Sequence, residues 1–312
     1  MLARAALSSS RHTLRSCTLR SCTRRLCSEA GKDPTAAVAL GAGLSGGLAG
    51  GLVGLGGGLV MVPILQSIGR MSQHAAIGTS SAAVTGTGLA ASLSFGSNGL
   101  VDWLAAAALA STAMLTARAG ARYTAAFSPA QLGRALGVFQ CAVAPIVPLK
   151  AHIVGQRKAE EEGGQDVPAA ASGCGVAAEQ QRRSSLDRAR LVELAQLAAV
   201  GSVAGFASGM FGIGGGVILT PALCALTPLP YVAVLGTTLA SMVPPSIVSA
   251  LTHWRMGNVN LAVVMPLVVG SGIGAFASGQ VAIQMPEEPL QWLFAVVMVS
   301  TGGRKLWSLR GR

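Results

Sequence analysis

Long stretches of the chain carry almost no charge, and the polar residues inside them are mostly Ser, Thr and Gly. Six runs reach the roughly 18 residues that a membrane-spanning helix requires: Ala36–Ile68, Ala75–Phe95, Val101–Arg118, Leu191–Leu226, Val232–Leu251 and Val259–Ile283. Leu132–Leu149 and Leu290–Trp307 are shorter runs of the same character. No period-two alternation points to a barrel, and within lipid only helices or closed barrels satisfy the backbone. The pattern predicts an all-α, polytopic membrane protein.

The runs repeat. Gly43, Gly47, Gly51, Gly54, Gly56, Gly57, Gly58 and Pro63 are matched, at a constant offset of 158 residues, by Gly201, Gly205, Gly209, Gly212, Gly214, Gly215, Gly216 and Pro221. The register continues without a gap through Gly78-Thr79 against Gly236-Thr237 and Gly99-x-Val101 against Gly257-x-Val259, with Asp102 opposite Asn260. Two homologous repeats of about four hydrophobic segments follow, at residues 36–149 and 191–308. The segment 150–190 between them is rich in charge and small residues, and reads as a solvated, disordered linker.

Within each repeat the glycines divide into two kinds. Gly43, Gly47, Gly51 and their counterparts Gly201, Gly205, Gly209 have the small-xxx-small spacing that lets helices approach closely. The triplets Gly56-Gly57-Gly58 and Gly214-Gly215-Gly216 add no packing period, and each glycine costs roughly 1 kcal/mol in a helix interior relative to Ala. They predict helix breaks. A break inside a membrane is tolerated where the freed backbone lines a cavity or binds something, and the half-helix that follows presents its amides and positive dipole end to an anion. Pro63 and Pro221 lie too deep to be first-turn residues and are expected to end or kink those half-helices. Thr79 and Ser80, with Thr237 and Thr238, add neutral hydroxyl donors if their segments face the breaks; bonding to helix backbone is the alternative use of such side chains. The candidate substrate site is therefore Gly56, Gly57, Gly58, Thr79, Ser80, Gly214, Gly215, Gly216, Thr237 and Thr238.

Composition narrows the class further. Hydrophobic residues make up 51% of the 312 and charged residues 11%, against about 25% charged in soluble domains. The net charge of +11 comes from the N-terminus, the linker and the C-terminus, which are membrane flanks and a targeting segment; nucleic acid is not an expected partner. Cys17, Cys22 and Cys27 lie in the N-terminal tail with no completing ligand, so neither a metal site nor a cofactor is predicted. Residues 1–30 hold six arginines, many Ser and Thr, and no acid before Glu29. That is the composition of a transit peptide, with Arg25-Leu26-Cys27-Ser28 resembling a matrix-processing site, and it places the protein in the mitochondrial inner membrane. A basic cytoplasmic tail on a plasma-membrane or other organellar protein is the alternative.

The order G-x3-G-x2-G-x-G-G-G-x4-P from Gly47 to Pro63, then Gly78-Thr79 and Gly99-Leu100-Val101-Asp102, all echoed in the second half, resembles the sulfite exporter TauE/SafE family. The resemblance covers everything after residue 36. It implies a multi-pass permease for small anions such as sulfite or organosulfonates, and no enzyme. Two other functions fit parts of the sequence: a non-transporting scaffold in which the glycines only pack helices, and a rhomboid-like intramembrane serine protease using Ser45 of Gly43-Leu44-Ser45-Gly46 with His253. His74 and His253, near span ends, are expected to lie at the interface.

Two topologies are open. If each long Gly-rich run crosses once, eight spans place both termini and the linker on the Lys/Arg-rich side, matrix or cytoplasm. If those runs are re-entrant, each half has three crossings and the repeats are inverted. Both runs exceed thirty residues, and eight spans is the expectation.

Overall fold

The computed structural model describes residues 36–143, 195–227 and 229–310; the expected transit peptide, 1–30, and the expected linker, 150–190, lie outside the described residues. All the regular structure described is helical. The first half contains α1 (Ala36–Val53), α2 (Gly58–Ser67), α3 (Gln73–Gly96), α4 (Trp103–Tyr123), a 3-10 turn (Thr124–Ala126) and α5 (Pro129–Val143). The second contains α6 (Ala195–Phe211), α7 (Gly216–Leu226), α8 (Tyr231–Ser241), α9 (Val243–Arg255), α10 (Leu261–Gln284) and α11 (Glu287–Arg310). Every element of the first half reappears in the second at the offset seen in the sequence. Two departures occur: the 3-10 turn is replaced by the last residues of α10, and the helix corresponding to α3 is divided at Met242, where α8 passes into α9. Pro244 and Pro245 follow it in the first turn of α9, and their missing N–H groups interrupt the ladder that α3 keeps intact.

Among the described residues, α1, α4, the stretch Tyr231–Arg255 and α10 are long and apolar enough to cross a membrane. Large apolar side chains point outward along them, among them Leu104, Leu115, Leu261, Met265 and Ile273. Trp103 and Trp254, at helix ends, are also exposed, as expected of an aromatic belt. The interior holds the reverse composition: Thr79, Ser80, Ser81, Thr87, Ser94, Thr237, Thr238, Ser241, Ser246 and Ser249 are buried. α3, with 24 residues, is long enough to span but rich in these hydroxyls, because it faces protein and not lipid.

Helix directions follow from which residues meet. A Cβ at Gly50 would lie 2.5 Å from the Gly57 nitrogen, and one at Gly46 would lie 2.7 Å from Met61 Cε. α2 therefore runs back alongside α1, and the pair is a helical hairpin whose turn is the glycine break. The expected eight straight crossings give way to the re-entrant arrangement, because consecutive left-handed glycines let the chain reverse where a plain kink would have continued it. Next, α3 and α9 are antiparallel: Ser81 meets Ser249 and Thr85 meets Ser246. Equivalent helices thus run in opposite directions, and the repeats are inverted.

The halves also exchange their first helices. Gly43 packs on Leu267 and Ser271 of α10, Gly47 on Ser271, and Gly51 on Ala275 and Ser278; Gly201, Gly205 and Gly209 pack on Leu109, Ala113 and Ala117 of α4. In each case a Cβ would collide with the partner's backbone or a hydroxyl, so the small-xxx-small glycines are packing residues, as read from their spacing. The Ser278 hydroxyl donates to the Gly47 carbonyl at 3.3 Å across the first of these interfaces.

Candidate functional site

Among the described residues eight glycines have positive φ, and they form four repeat pairs: Gly54 and Gly212, Gly56 and Gly214, Gly57 and Gly215, Gly99 and Gly257. Three of the pairs make up the two breaks. At Gly57 (φ 76°) and Gly215 (φ 79°) the left-handed conformation ends the reversal and caps the next half-helix, a geometry that costs an L-residue about 1 kcal/mol or more. Neither cap supplies a side-chain hydrogen bond. The first amides of α2 and α7 thus have no side-chain cap, while Val60 N and Ile218 N donate to the Gly57 and Gly215 carbonyls at 3.1 and 2.9 Å. Pro63 and Pro221 do not end them; both lie inside helices that continue to Ser67 and Leu226.

The two breaks face each other. A Cβ at Gly58 would lie 2.5 Å from the Gly212 carbonyl oxygen, and one at Gly216 would collide with the Gly54 carbonyl. Val84, the twelfth residue of the 24 in α3, and its repeat partner Met242 close over this crossing from either side. Side-chain atoms of both come within 3.3 Å of a Cβ built at Gly56, and within 3.1 Å of one at Gly214. Since α3 is the length of a full crossing, its midpoint puts the paired breaks near the middle of the layer.

The predicted hydroxyls separate into two groups. Ser80 donates to the Gly212 carbonyl at 3.0 Å and so touches a break directly. Thr238 holds the same place in the second half, on a helix whose Leu235 contacts Gly54. There the Gly54 carbonyl is taken by Thr220 at 3.3 Å, and the buried Thr238 Oγ1 has no hydrogen-bond partner. Thr79 and Thr237 face away from the breaks. Thr79 Oγ1 accepts the Asn260 N–H at 3.2 Å and Thr237 Oγ1 accepts the Asp102 N–H at 3.0 Å. Asp102 and Asn260 in turn cap α4 and α10 through their side chains. The Gly-Thr segments are thus clasps between the halves, and Gly78 and Gly236 permit the approach: a Cβ there would meet Asn258 and His253, or Leu100 and Phe95.

Sequence reasoning missed a seam of hydroxyls between α3 and α9. Thr85 and Ser246 oxygens are 3.0 Å apart, and Ser249 donates to Ser81 at 3.2 Å. Their spacing, i to i+4 on α3 and i to i+3 on α9, places each pair on one helix face. They escaped notice because they do not repeat: their counterparts are Leu239, Val243, Gly88 and Ala91.

His253, expected near the interface by its place at a span end, is enclosed by protein there. The side chain is fully buried, with Nε2 3.0 Å from the Gly209 carbonyl, because antiparallel packing brings the end of α9 against α6. Ser45 is exposed, its hydroxyl donating to Gly41 and Ala42 of its own helix at 2.9 and 3.2 Å. The imagined Ser45/His253 dyad is not formed. Among the described residues no cluster of potential metal ligands occurs.

Comparison with known proteins gives one consistent answer. A probable membrane transporter protein of Bacillus subtilis (strain 168), YunE, is 25% identical over 257 residues, 80% of this chain and 89% of that protein. A probable membrane transporter protein of Haemophilus influenzae is 31% identical over 118 residues, 36% of this chain and 45% of that protein. One from Xylella fastidiosa is 27% identical over 110 residues, 35% of this chain and 42% of that protein. No solved structure matches the chain. The family model of the sulfite exporter TauE/SafE matches residues 2–145 and 197–312, which together take in both inverted halves with their breaks and clasps, and the chain belongs to that family of membrane transporters.

Proposed function

We propose that the chain is a permease for small oxyanions of the sulfite and organosulfonate type, which it binds between the two broken helices. The observation that carries this reading is the meeting of two uncapped half-helix N-termini at the midpoint of α3. Each offers amides and a positive dipole end to one region between the halves. A tetrahedral or pyramidal oxyanion is bound there by dipoles and hydroxyls alone. A fixed side-chain cation at that depth would cost several kcal/mol to bury and would hold the ligand too firmly for release. Gly56, Gly57, Gly58, Gly214, Gly215 and Gly216 supply the backbone; Ser80 and Thr238 are the nearest predicted hydroxyls; Thr79 and Thr237 act by fixing the helices on which those two sit. Val84 and Met242 close over the site, so passage requires the halves to move apart at that crossing.

The mitochondrial inner membrane is the location that the arginine pattern of residues 1–30 supports. Fusion of residues 1–40 to a fluorescent protein tests it, and a signal confined to the plasma membrane would overturn it.

Flux of sulfite, sulfate, thiosulfate and methanesulfonate into proteoliposomes tests the transport reading, with Thr238→Val as the discriminating variant. Its hydroxyl bonds to nothing in the protein, so its removal leaves the fold intact and slightly stabilised while weakening anion binding by about 1 kcal/mol. A protein that moves none of these anions, and in which Thr238→Val changes stability alone, is a scaffold.

A further inference from the structure

At His253 the second half places a titratable group where the first has a plain core side chain. Its repeat counterpart is Phe95, which is equally buried. The two stand in equivalent surroundings, the Cβ of His253 beside Gly78 and that of Phe95 beside Gly236. Packing at this position is thus satisfied by a phenyl ring, and an imidazole needs another explanation. The Gly209 carbonyl can only accept, so the Nε2 atom 3.0 Å away carries the hydrogen. That fixes the tautomer and leaves Nδ1 as a bare acceptor. Nδ1 is buried and has no hydrogen-bond partner in the protein, a state that costs free energy wherever it occurs.

The ring also ends a file of polar groups. Ser246, Ser249 and His253 are spaced i, i+3 and i+7 on α9 and share one face, all buried. The first two are bonded to Thr85 and Ser81 of α3, so the file runs from the crossing at Met242 to His253. On the other side of the pseudo-two-fold the same contact is apolar, with Gly88 against Val243 and Leu239.

The elements packed around the ring contain no group that could neutralise it if charged. α3 contributes His74, whose Nε2 is 3.4 Å from the Thr124 carbonyl; the described part of α6 carries no ionisable residue. Arg118 and Arg122 at the end of α4 and Arg255 on α9 are exposed and of the wrong sign. No Asp or Glu lies on α3, α6 or α9. An imidazolium here is a buried cation with no carboxylate on the described parts of α3, α6 and α9 to balance it, a role that a bound anion fills.

We infer that His253 is the proton acceptor that couples anion passage to proton movement: Nδ1 takes a proton from the aqueous side while Nε2–H stays on Gly209, and the imidazolium holds its charge only while an anion occupies the site at the breaks, where Gly212 lies one turn beyond Gly209. The inference rests on the transport reading above. Each favours the other electrostatically, so proton and anion enter together, and the proton leaves Nδ1 to the far side when the anion departs.

Two measurements test it. Proteoliposomes containing the full chain and an internal pH dye are exposed to a gradient of methanesulfonate, which is fully ionised and brings no proton of its own. Wild type is expected to acidify the lumen as the anion enters. In His253→Gln, which keeps a donor for Gly209 but cannot titrate, acidification should fall to the leak of empty vesicles, and His253→Phe should behave alike. Anion entry with unchanged acidification in His253→Gln overturns the inference. Independently of flux, 15N signals of the His253 ring, assigned by their loss in His253→Gln, should change from the neutral Nε2–H tautomer to imidazolium between about pH 8 and 5 when methanesulfonate or sulfite is added. A ring that stays neutral throughout, with either anion, also overturns it. Absence of flux from a protein whose ring does titrate with anion counts against the permease and supports His253 as the anion-linked proton site.

Discussion

The two halves share a backbone and differ in chemistry. Positive-φ glycines, half-helix caps, the Thr clasps and the first-helix exchange are all present twice, and each copy acts on the other half. What is not duplicated lies along α3 and α9. From the crossing to the end where α3 begins and α9 finishes, the structure has Ser81, Thr85, Ser246, Ser249, Thr124 and His253; on the other side of the crossing the equivalent positions hold Leu239, Val243, Gly88, Ala91, Ala282 and Phe95. Three carbonyls around the broken end of α6 have side-chain donors: Gly209 from His253, Met210 from Thr124, and Gly212 from Ser80. In the first half Phe95 and Ala282 cannot donate at the corresponding places. Repetition therefore built the frame, and divergence on top of it gave the molecule two unlike ends.

Substitutions at paired positions can break this comparison or refine it. The largest effects are expected at the break caps, where the pair should be unequal. Gly57→Ala and Gly215→Ala both impose left-handed strain of about 1–2 kcal/mol. At Gly57, however, the Cβ would collide with the Gly46 carbonyl, whereas at Gly215 the nearest atom is the Ala204 oxygen at 3.0 Å. Thermal unfolding in detergent should show Gly57→Ala as the more damaging by several degrees, and equal losses would mean that the first hairpin is looser than its contacts imply.

Next come the clasps, where the pair should match. Thr79→Val and Thr237→Val each leave one backbone N–H without its acceptor, at a cost of about 1–3 kcal/mol. Similar destabilisation of both, with little change in the concentration dependence of flux, is expected; a strong loss of affinity in either would return that hydroxyl to the substrate.

Smaller again is the contrast between Ser80→Ala and Thr238→Val. The first loses a bond to Gly212 and should destabilise by about 1 kcal/mol, while the second loses no protein partner and should stabilise by a few tenths to about 1 kcal/mol. Opposite signs at repeat-equivalent positions would be the clearest measure of how far the halves have diverged. For the seam, a double-mutant cycle with Ser81→Ala and Ser249→Ala should give a coupling of about 0.5–1 kcal/mol, and additive losses would show that the two hydroxyls do not share a bond. The least change is expected from proteolysis between Gly155 and Arg183. With α1 seated on α10 and α6 on α4, the cut halves should elute together in mild detergent, and separation would contradict the exchange.

Much of the site was legible from local cost. Three consecutive glycines in an apolar run are expensive in a helix, so the breaks at Gly56–Gly58 and Gly214–Gly216 could be located from the chain, and the spacing of Gly43, Gly47 and Gly51 identified a packing face. The roles of Thr79 and Thr237 were not legible, since a threonine in a helix looks the same whether it meets a ligand or another helix's N–H. Ser81, Thr85, Ser246 and Ser249 were overlooked because attention went to what repeats, and these residues matter because they do not. The place of His253 near a span end was legible, but its burial was not, since that depends on α6, more than forty residues away in sequence.

By itself the sequence determined the class of molecule, the two-fold repetition and the points at which the backbone must bend, because composition, period and the cost of glycine act within one segment of chain. Only the tertiary structure decided that the repeats are inverted, that each half lends its first helix to the other, and that the two breaks meet beside Val84 and Met242. A constant offset of 158 residues is the same whether equivalent helices run parallel or antiparallel. The choice lies in whether α1 continues through its break or turns back along itself, and that is settled by the close contacts of Gly46 and Gly50 with Met61 and Gly57.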